Sequence, residues 1–153
     1  MVPELSKLNS MVAAHFYSLN QPPEEEALNA ALQYANKNGL TDKTARLFGR
    51  NIYLTDKPEP HGYEYFLTED KPKSAVGEVI GGLYAFIEFE NLFTLTESWK
   101  ALAEWVESNG YKPVGIKKDS HGWVNSAYEE LLDWQQPKPP TEWRFQLWLQ
   151  LQE

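Results

Sequence analysis

The sequence contains no cysteine, which removes disulfide staples, thiol nucleophiles and thiolate metal sites from consideration. Its three histidines, His15, His61 and His121, lie in separate segments without the spacing of a metal site. Long apolar runs are also missing. None approaches the roughly 20 residues needed to cross a bilayer, and the N-terminus lacks the basic-then-apolar order of a signal peptide. A cytoplasmic protein without a membrane partner is expected. There is no Gly-x-Ser-x-Gly elbow, no glycine-rich phosphate loop and no His-Glu-x-x-His, so no metal and no cofactor is predicted. Basic residues are in the minority: 14 Lys and Arg against 22 Asp and Glu leave a formal charge of −8. That balance is poor for gripping phosphate backbones and better suited to cationic or neutral partners, so no direct nucleic-acid contact is expected.

What the chain does have is aromatic side chains, with six Trp, eight Tyr and seven Phe, and an internal repeat. The repeat is organised around residues 81–111. Along Gly82–Phe89, Leu83, Ala85, Ile87 and Phe89 alternate with Tyr84, Phe86 and Glu88, the period of a strand. From Trp99 the period becomes helical, through Leu102, Ala103 and Val106; Thr94 or Thr96 is the expected start cap and Gly110 the end. Shifting the chain by 71 residues (110 minus 39) places Leu28 on Trp99, Ala31 on Leu102, Ala35 on Val106 and Asn38-Gly39 on Asn109-Gly110. Each helix follows a strand-like run and precedes two more: Val12–Leu19, then Ala45–Tyr53 and Tyr63–Thr68 in the first half, and Gly82–Phe89, then Ala127–Leu132 and Glu142–Leu151 in the second. Further strand segments are expected near Glu78–Ile80 and in the loops. The expected fold is therefore α+β: a tandem pseudo-twofold repeat of two β-α-β-β modules, about residues 11–70 and 76–152, within a single domain spanning 1–153. Pro22-Pro23 and Glu24–Glu26 read as the start of the first helix, a structural role with no functional one attached.

Two helices cover one face of such a sheet. The strands nevertheless carry aromatics on both faces: the closing strand sets Trp143 opposite Trp148, and Tyr84 and Phe86 lie opposite Leu83, Ala85 and Ile87. This pattern predicts an aromatic-lined ligand groove on the helix-free face, and it fits equally a homodimer interface covering that face. Gly49, inside the strand Phe48-Gly49-Arg50, predicts a bulge or a close approach by another group. Tyr128-Glu129-Glu130-Leu131-Leu132 sets one glutamate on the face of Ala127 and Leu131. Alternation alone leaves open which of Glu129 and Glu130 points inward. A carboxylate in an aromatic pocket either takes a raised pKa or receives a cation.

The ordered set ARLFGRN, GYEYFLT, GGLYAFIEF, ESWKALAEWVESNGYKP and AYEELL resembles the GyrI-like domain, the effector-binding module of bacterial drug-responsive transcription regulators. The resemblance covers about residues 11–151. It implies a pseudo-twofold tandem of modules with the ligand site between them, and a glutamate before the last strand that anchors cationic aromatic drugs. That residue corresponds to Glu129; the aromatic usual two positions further on is Leu131 here. The ligand-binding set expected around Glu129 is Phe48, Tyr65, Tyr84, Trp123, Trp143 and Trp148. Met1–Ser10 is too short for a DNA-reading domain, so a stand-alone binder of lipophilic aromatic cations is the implied function. The family also implies two alternatives: a hydrolase opening cyclopropane rings of DNA-alkylating natural products, and a protein that binds and protects gyrase. The sequence does not separate a binder from an enzyme.

Overall fold

The computed structural model describes residues 2–20, 22–53, 60–114, 118–119, 122–123 and 127–153. In chain order the elements are β1 Glu4–Leu8, β2 Met11–Ser18, α1 Pro23–Lys37, β3 Leu47–Tyr53, β4 Pro60–Thr68, β5 Val76–Val79, β6 Gly82–Phe89, a 3-10 turn Leu92–Thr94, α2 Leu95–Ser108, β7 Lys118–Asp119, β8 Gly122–Trp123, β9 Ala127–Leu131, a second 3-10 turn Pro140–Glu142, and β10 Phe145–Gln150. Eight strands form one antiparallel sheet in the order β1-β6-β10-β9-β3-β4-β2-β5, and β7 and β8 form a separate pair. Both β-α-β-β modules are present, β2-α1-β3-β4 and β6-α2-β9-β10, meeting where β9 pairs with β3.

The repeat extends to individual hydrogen bonds. The Asn38 and Asn109 side-chain amides each donate to the carbonyl four residues back, on Tyr34 and Trp105. Leu40 N–H and Tyr111 N–H each donate five residues back, to Ala35 and Val106. Gly39 and Gly110 between them take φ of 68° and 77°, a conformation that costs a residue with a Cβ. The helix faces that bury, Ala27, Ala31 and Ala35 in α1 and Ser98, Leu102 and Val106 in α2, are the same under the 71-residue shift. Of the two expected start residues Thr94 stands at the N-cap of α2, but its side chain makes no capping hydrogen bond. Asn91 instead accepts from Phe93 N–H and starts the 3-10 turn that leads into the helix.

Beyond each module the preceding strand crosses to the other half. β1 pairs with β6, and β5 pairs with β2. Asn9-Ser10 and Ile80-Gly81 join these pairs directly, so two-residue connections tie together the opposite edges of the sheet, and Ser10 Oγ accepts from Gly81 N–H at 3.0 Å. The sheet curls as a result. Its helix-free face turns inward, where Leu8, Ala13, Phe48, Phe66, Val79, Tyr84, Tyr128 and Trp148 form one buried cluster. The other cluster, including Leu47, Tyr63, Tyr65, Leu131, Leu147 and Leu149, lies beneath the two helices. No helix among the described residues is long and apolar enough to cross a membrane.

Candidate ligand-binding site on the helix face of the sheet

One row of side chains crosses six strands on the helix face. The strand registers place Ile87 beside Leu147, Leu147 beside Glu129, Glu129 beside Gly49, Gly49 beside Tyr65 and Tyr65 beside Phe16. The strands in this row run β6, β10, β9, β3, β4, β2, so a half-turn about its centre exchanges the modules. That centre lies between Gly49 and Glu129. The ladder joining the two halves has three pairs, Leu47 with Leu131, Phe48 with Glu130, and Gly49 with Glu129. Glu129 is thus the acid at the junction, opposite a residue without a side chain.

The vacancy at Gly49 is occupied by tyrosines from β4. A Cβ there would lie 2.7 Å from Tyr65 Cε1, 2.8 Å from Tyr63 Cε1 and 2.9 Å from Tyr63 Oη. Both rings are buried, with centroids 5.0 Å apart. The expected close approach to Gly49 is therefore made by neighbouring rings. Gly49→Ala should cost about 1–3 kcal/mol by overpacking and push Tyr63 away from Glu129; urea denaturation measures the first effect.

Glu129 is half-buried, and the Tyr63 hydroxyl hydrogen-bonds its carboxylate. Burial is the main reason its pKa rises from the ordinary 4.5 to about 7; the nearby negative charge of Glu24 adds to the rise, and the Tyr63 bond partly opposes it. Burial, with the same two acids, pushes both the Tyr63 and the Tyr65 phenols upward. Glu24 itself is raised by the protein packed around its carboxyl. Among the described residues, no lysine, arginine or histidine pairs with Glu129, and no group of three His, Asp or Glu comes together to hold a metal.

The adjacent Glu130 is the opposite case. It points to the helix-free face, where Arg46 Nε and an Arg46 terminal nitrogen each donate to it at 2.8 Å and the Trp148 indole N–H donates at 3.1 Å. The Arg46 guanidinium lies 4.9 Å from the centre of the Phe48 ring. Every charge in this group has a partner, so it reads as structure.

The expected binding residues do not all converge. Glu129 and Tyr65 share the site. Phe48, Tyr84 and Trp148 lie on the opposite, inward-curled face, where they pack against one another and Tyr128, each at most 4% exposed. A groove on that face and a site around Glu129 are thus two different places. Trp143 is buried in the core under the helices, with its indole N–H donating to the Lys138 carbonyl at 2.9 Å. The Trp123 side chain lies outside the described residues. Two site residues escaped the sequence reading. Tyr63 shares the strand face of Tyr65, which alternation alone would have paired with it. Glu24 sits in the first turn of α1, where a helix-start acid needs no other explanation, yet its charge reaches Glu129 and both tyrosines.

No family model matches the chain, and no curated protein matches it. Solved structures do. EcmrR in a DNA complex superposes with a TM-score of 0.71 at 16% identity, covering 99% of this chain and 57% of that one, so this chain spans little more than half of EcmrR. The EcmrR C-terminal domain taken alone gives 0.67 at 16%, with 99% and 97% covered. A Listeria innocua hydrolase gives 0.60 at 12%, with 99% and 92% covered. SAV2435 bound to tetraphenylphosphonium gives 0.55 at 13%, with 99% and 94% covered. Likeness at these identities is likeness of fold, and with the reciprocal strand exchange and the two modules it identifies the chain as one with the GyrI-like fold.

Proposed function

We propose that this chain binds lipophilic aromatic cations at the helix-face site centred on Glu129. The observation that carries this reading is a carboxylate enclosed at the module junction, hydrogen-bonded by a tyrosine and facing no cation among the described residues. Such a group is incomplete. A cation entering beside it gains Coulomb attraction in a low-dielectric site and cation–π attraction from the adjacent phenol rings. The overall charge of −8 favours the same ligands at longer range. A protein of the same fold, SAV2435, is seen bound to tetraphenylphosphonium, a lipophilic cation.

Titration by tryptophan quenching with a cationic dye and a neutral isostere tests the reading. The cation should bind more tightly, and its advantage should shrink as pH falls below 7, by about tenfold per unit, because protonation removes the attracting charge. Equal affinity for the two probes, unchanged by pH, would overturn it.

A second reading rests on the same carboxyl. A group titrating near neutrality beside two phenols suits general acid–base work, and a hydrolase shares the fold. For a cyclopropane conjugated to a carbonyl, Glu129 would take a proton from water while the water oxygen bonds to a ring carbon. The ring C–C bond breaks, and its electron pair moves to the carbonyl oxygen, which a tyrosine hydroxyl stabilises. Turnover of a cyclopropane-bearing alkylator by the wild type, lost in Glu129→Gln, supports this reading; binding without turnover rejects it.

A further inference from the structure

The axis between Gly49 and Glu129 makes the two walls of the site comparable residue by residue, and they are chemical opposites. The half-turn that exchanges the modules carries Tyr65 onto Leu147 and Tyr63 onto Phe145. The 71-residue shift carries Ser18 onto Phe89 and Glu24 onto Leu95. Glu24 lies one turn before Ala27 and Leu28, on the face by which α1 packs on β4, the strand of Tyr63 and Tyr65, and its charge acts on Glu129 and both phenols; its counterpart Leu95 stands at the start of α2, on the other side of the axis. Leu95 is half-buried and packs on the core under the helices. One wall therefore offers a carboxylate and two phenols, the other Leu95, Leu147, Phe145 and Phe89.

Glu24 is also free for such use. Its neighbour Glu26 accepts from the Asn20 amide at 3.2 Å, whereas Glu24 enters no hydrogen bond or ion pair among the described residues. Glu24 precedes the buried Ala27 and Leu28 by one helical turn, so its exposed side chain stands at the solvent edge of the face that α1 turns to the sheet.

We propose that the site holds its ligand in one orientation, with the cationic group on the α1 side between Glu129 and Glu24 and the hydrocarbon on the α2 side against Leu95, so that cations charged at one end are preferred over cations charged at the centre. This rests on the reading of Glu129 as the cation-binding acid. Glu24 acts as a specificity-determining residue: it adds attraction where the charge reaches the α1 wall, and little where a shell of rings keeps the charge at the centre of the ligand.

Calorimetric titration at pH 8 with biphenylmethyl-trimethylammonium, charged at one end, and tetraphenylphosphonium, charged at its centre, tests the assignment on wild type, Glu24→Gln and Glu129→Gln. Glu24→Gln lies in an exposed first turn and is expected to leave the fold intact, as circular dichroism checks. It should weaken the end-charged probe by about five- to tenfold and tetraphenylphosphonium by less than about twofold, whereas Glu129→Gln weakens both by at least about tenfold. If Glu24→Gln weakens both probes alike, or neither, the orientation is overturned, while loss of both in Glu129→Gln leaves the Glu129 reading standing. If the wild type binds neither probe, that reading falls and the orientation with it.

Discussion

Glu129→Gln is expected to weaken cation binding strongly and, at the same time, to stabilise the protein at pH 8. The substitution keeps the shape of the side chain and an oxygen for the Tyr63 hydroxyl, and removes the charge. Losing one partner of a desolvated charge pair costs about 2–5 kcal/mol, so affinity for a cationic dye should fall by at least about tenfold. The stability effect has the opposite sign. Between pH 4.5 and 7 the folded protein keeps the Glu129 proton that the unfolded chain has released, so this group's contribution to stability is fully present below pH 4.5 and lost as pH rises to 7. Above pH 7 the folded state carries an enclosed charge at a cost on the order of 3 kcal/mol. Glutamine relieves that cost. Denaturation midpoints should therefore rise in the variant at pH 8 and hardly change at pH 4.5.

The residue next in sequence should behave in reverse. Glu130→Gln strands the Arg46 guanidinium and weakens the acceptor of the Trp148 indole on the inward-curled face. Removing one member of a buried, bidentate pair is strongly destabilising; with Arg46 partly in solvent, about 2–3 kcal/mol is expected, a melting shift on the order of 5–10 °C. Cation affinity, measured well below the melting transition, should be unchanged, because Glu130 and the site lie on opposite faces of the sheet. The two adjacent glutamates thus differ in both respects: Glu129→Gln loses binding and gains stability at pH 8, and Glu130→Gln keeps binding and loses stability. Unchanged melting in Glu130→Gln would contradict the assignment of Arg46 and Glu130 as a structural pair.

How much of this was legible in the sequence follows from what each pattern encodes. Helix periodicity and the Asn-Gly ends are local, so the two helices and the 71-residue repeat could be read directly, and with them the module order. Strand alternation says which residues share a face, and it correctly grouped Phe145, Leu147 and Leu149 against Trp148. It does not say what covers that face. Because the sheet curls, the middle of its helix-free side is buried as well, and aromatics on both faces looked like a groove where the structure has a second, smaller core. β1 went unread because Glu4–Leu8 carries no apolar alternation: Leu5 is exposed, Leu8 is buried, and the strand is fixed by pairing with β6 in the other half. The position of Glu129 at the junction depends on three cross-module pairs between residues about 80 apart, which no local pattern contains. Glu24 was hidden differently, by having a sufficient local explanation as a helix-start acid.

The central claim is that Glu129 is an enclosed carboxyl that lacks its cation. It is tested most directly by following glutamate side-chain carboxyl resonances through a pH titration, with and without a saturating aromatic cation and with Glu129→Gln for assignment. One glutamate should titrate near pH 7, vanish from the variant's spectrum, and move down by at least about one unit when the cation is bound, since an adjacent positive charge favours the carboxylate. A Glu129 midpoint near 4.5 in the free protein, or one that stays in place when the cation binds, would contradict the account.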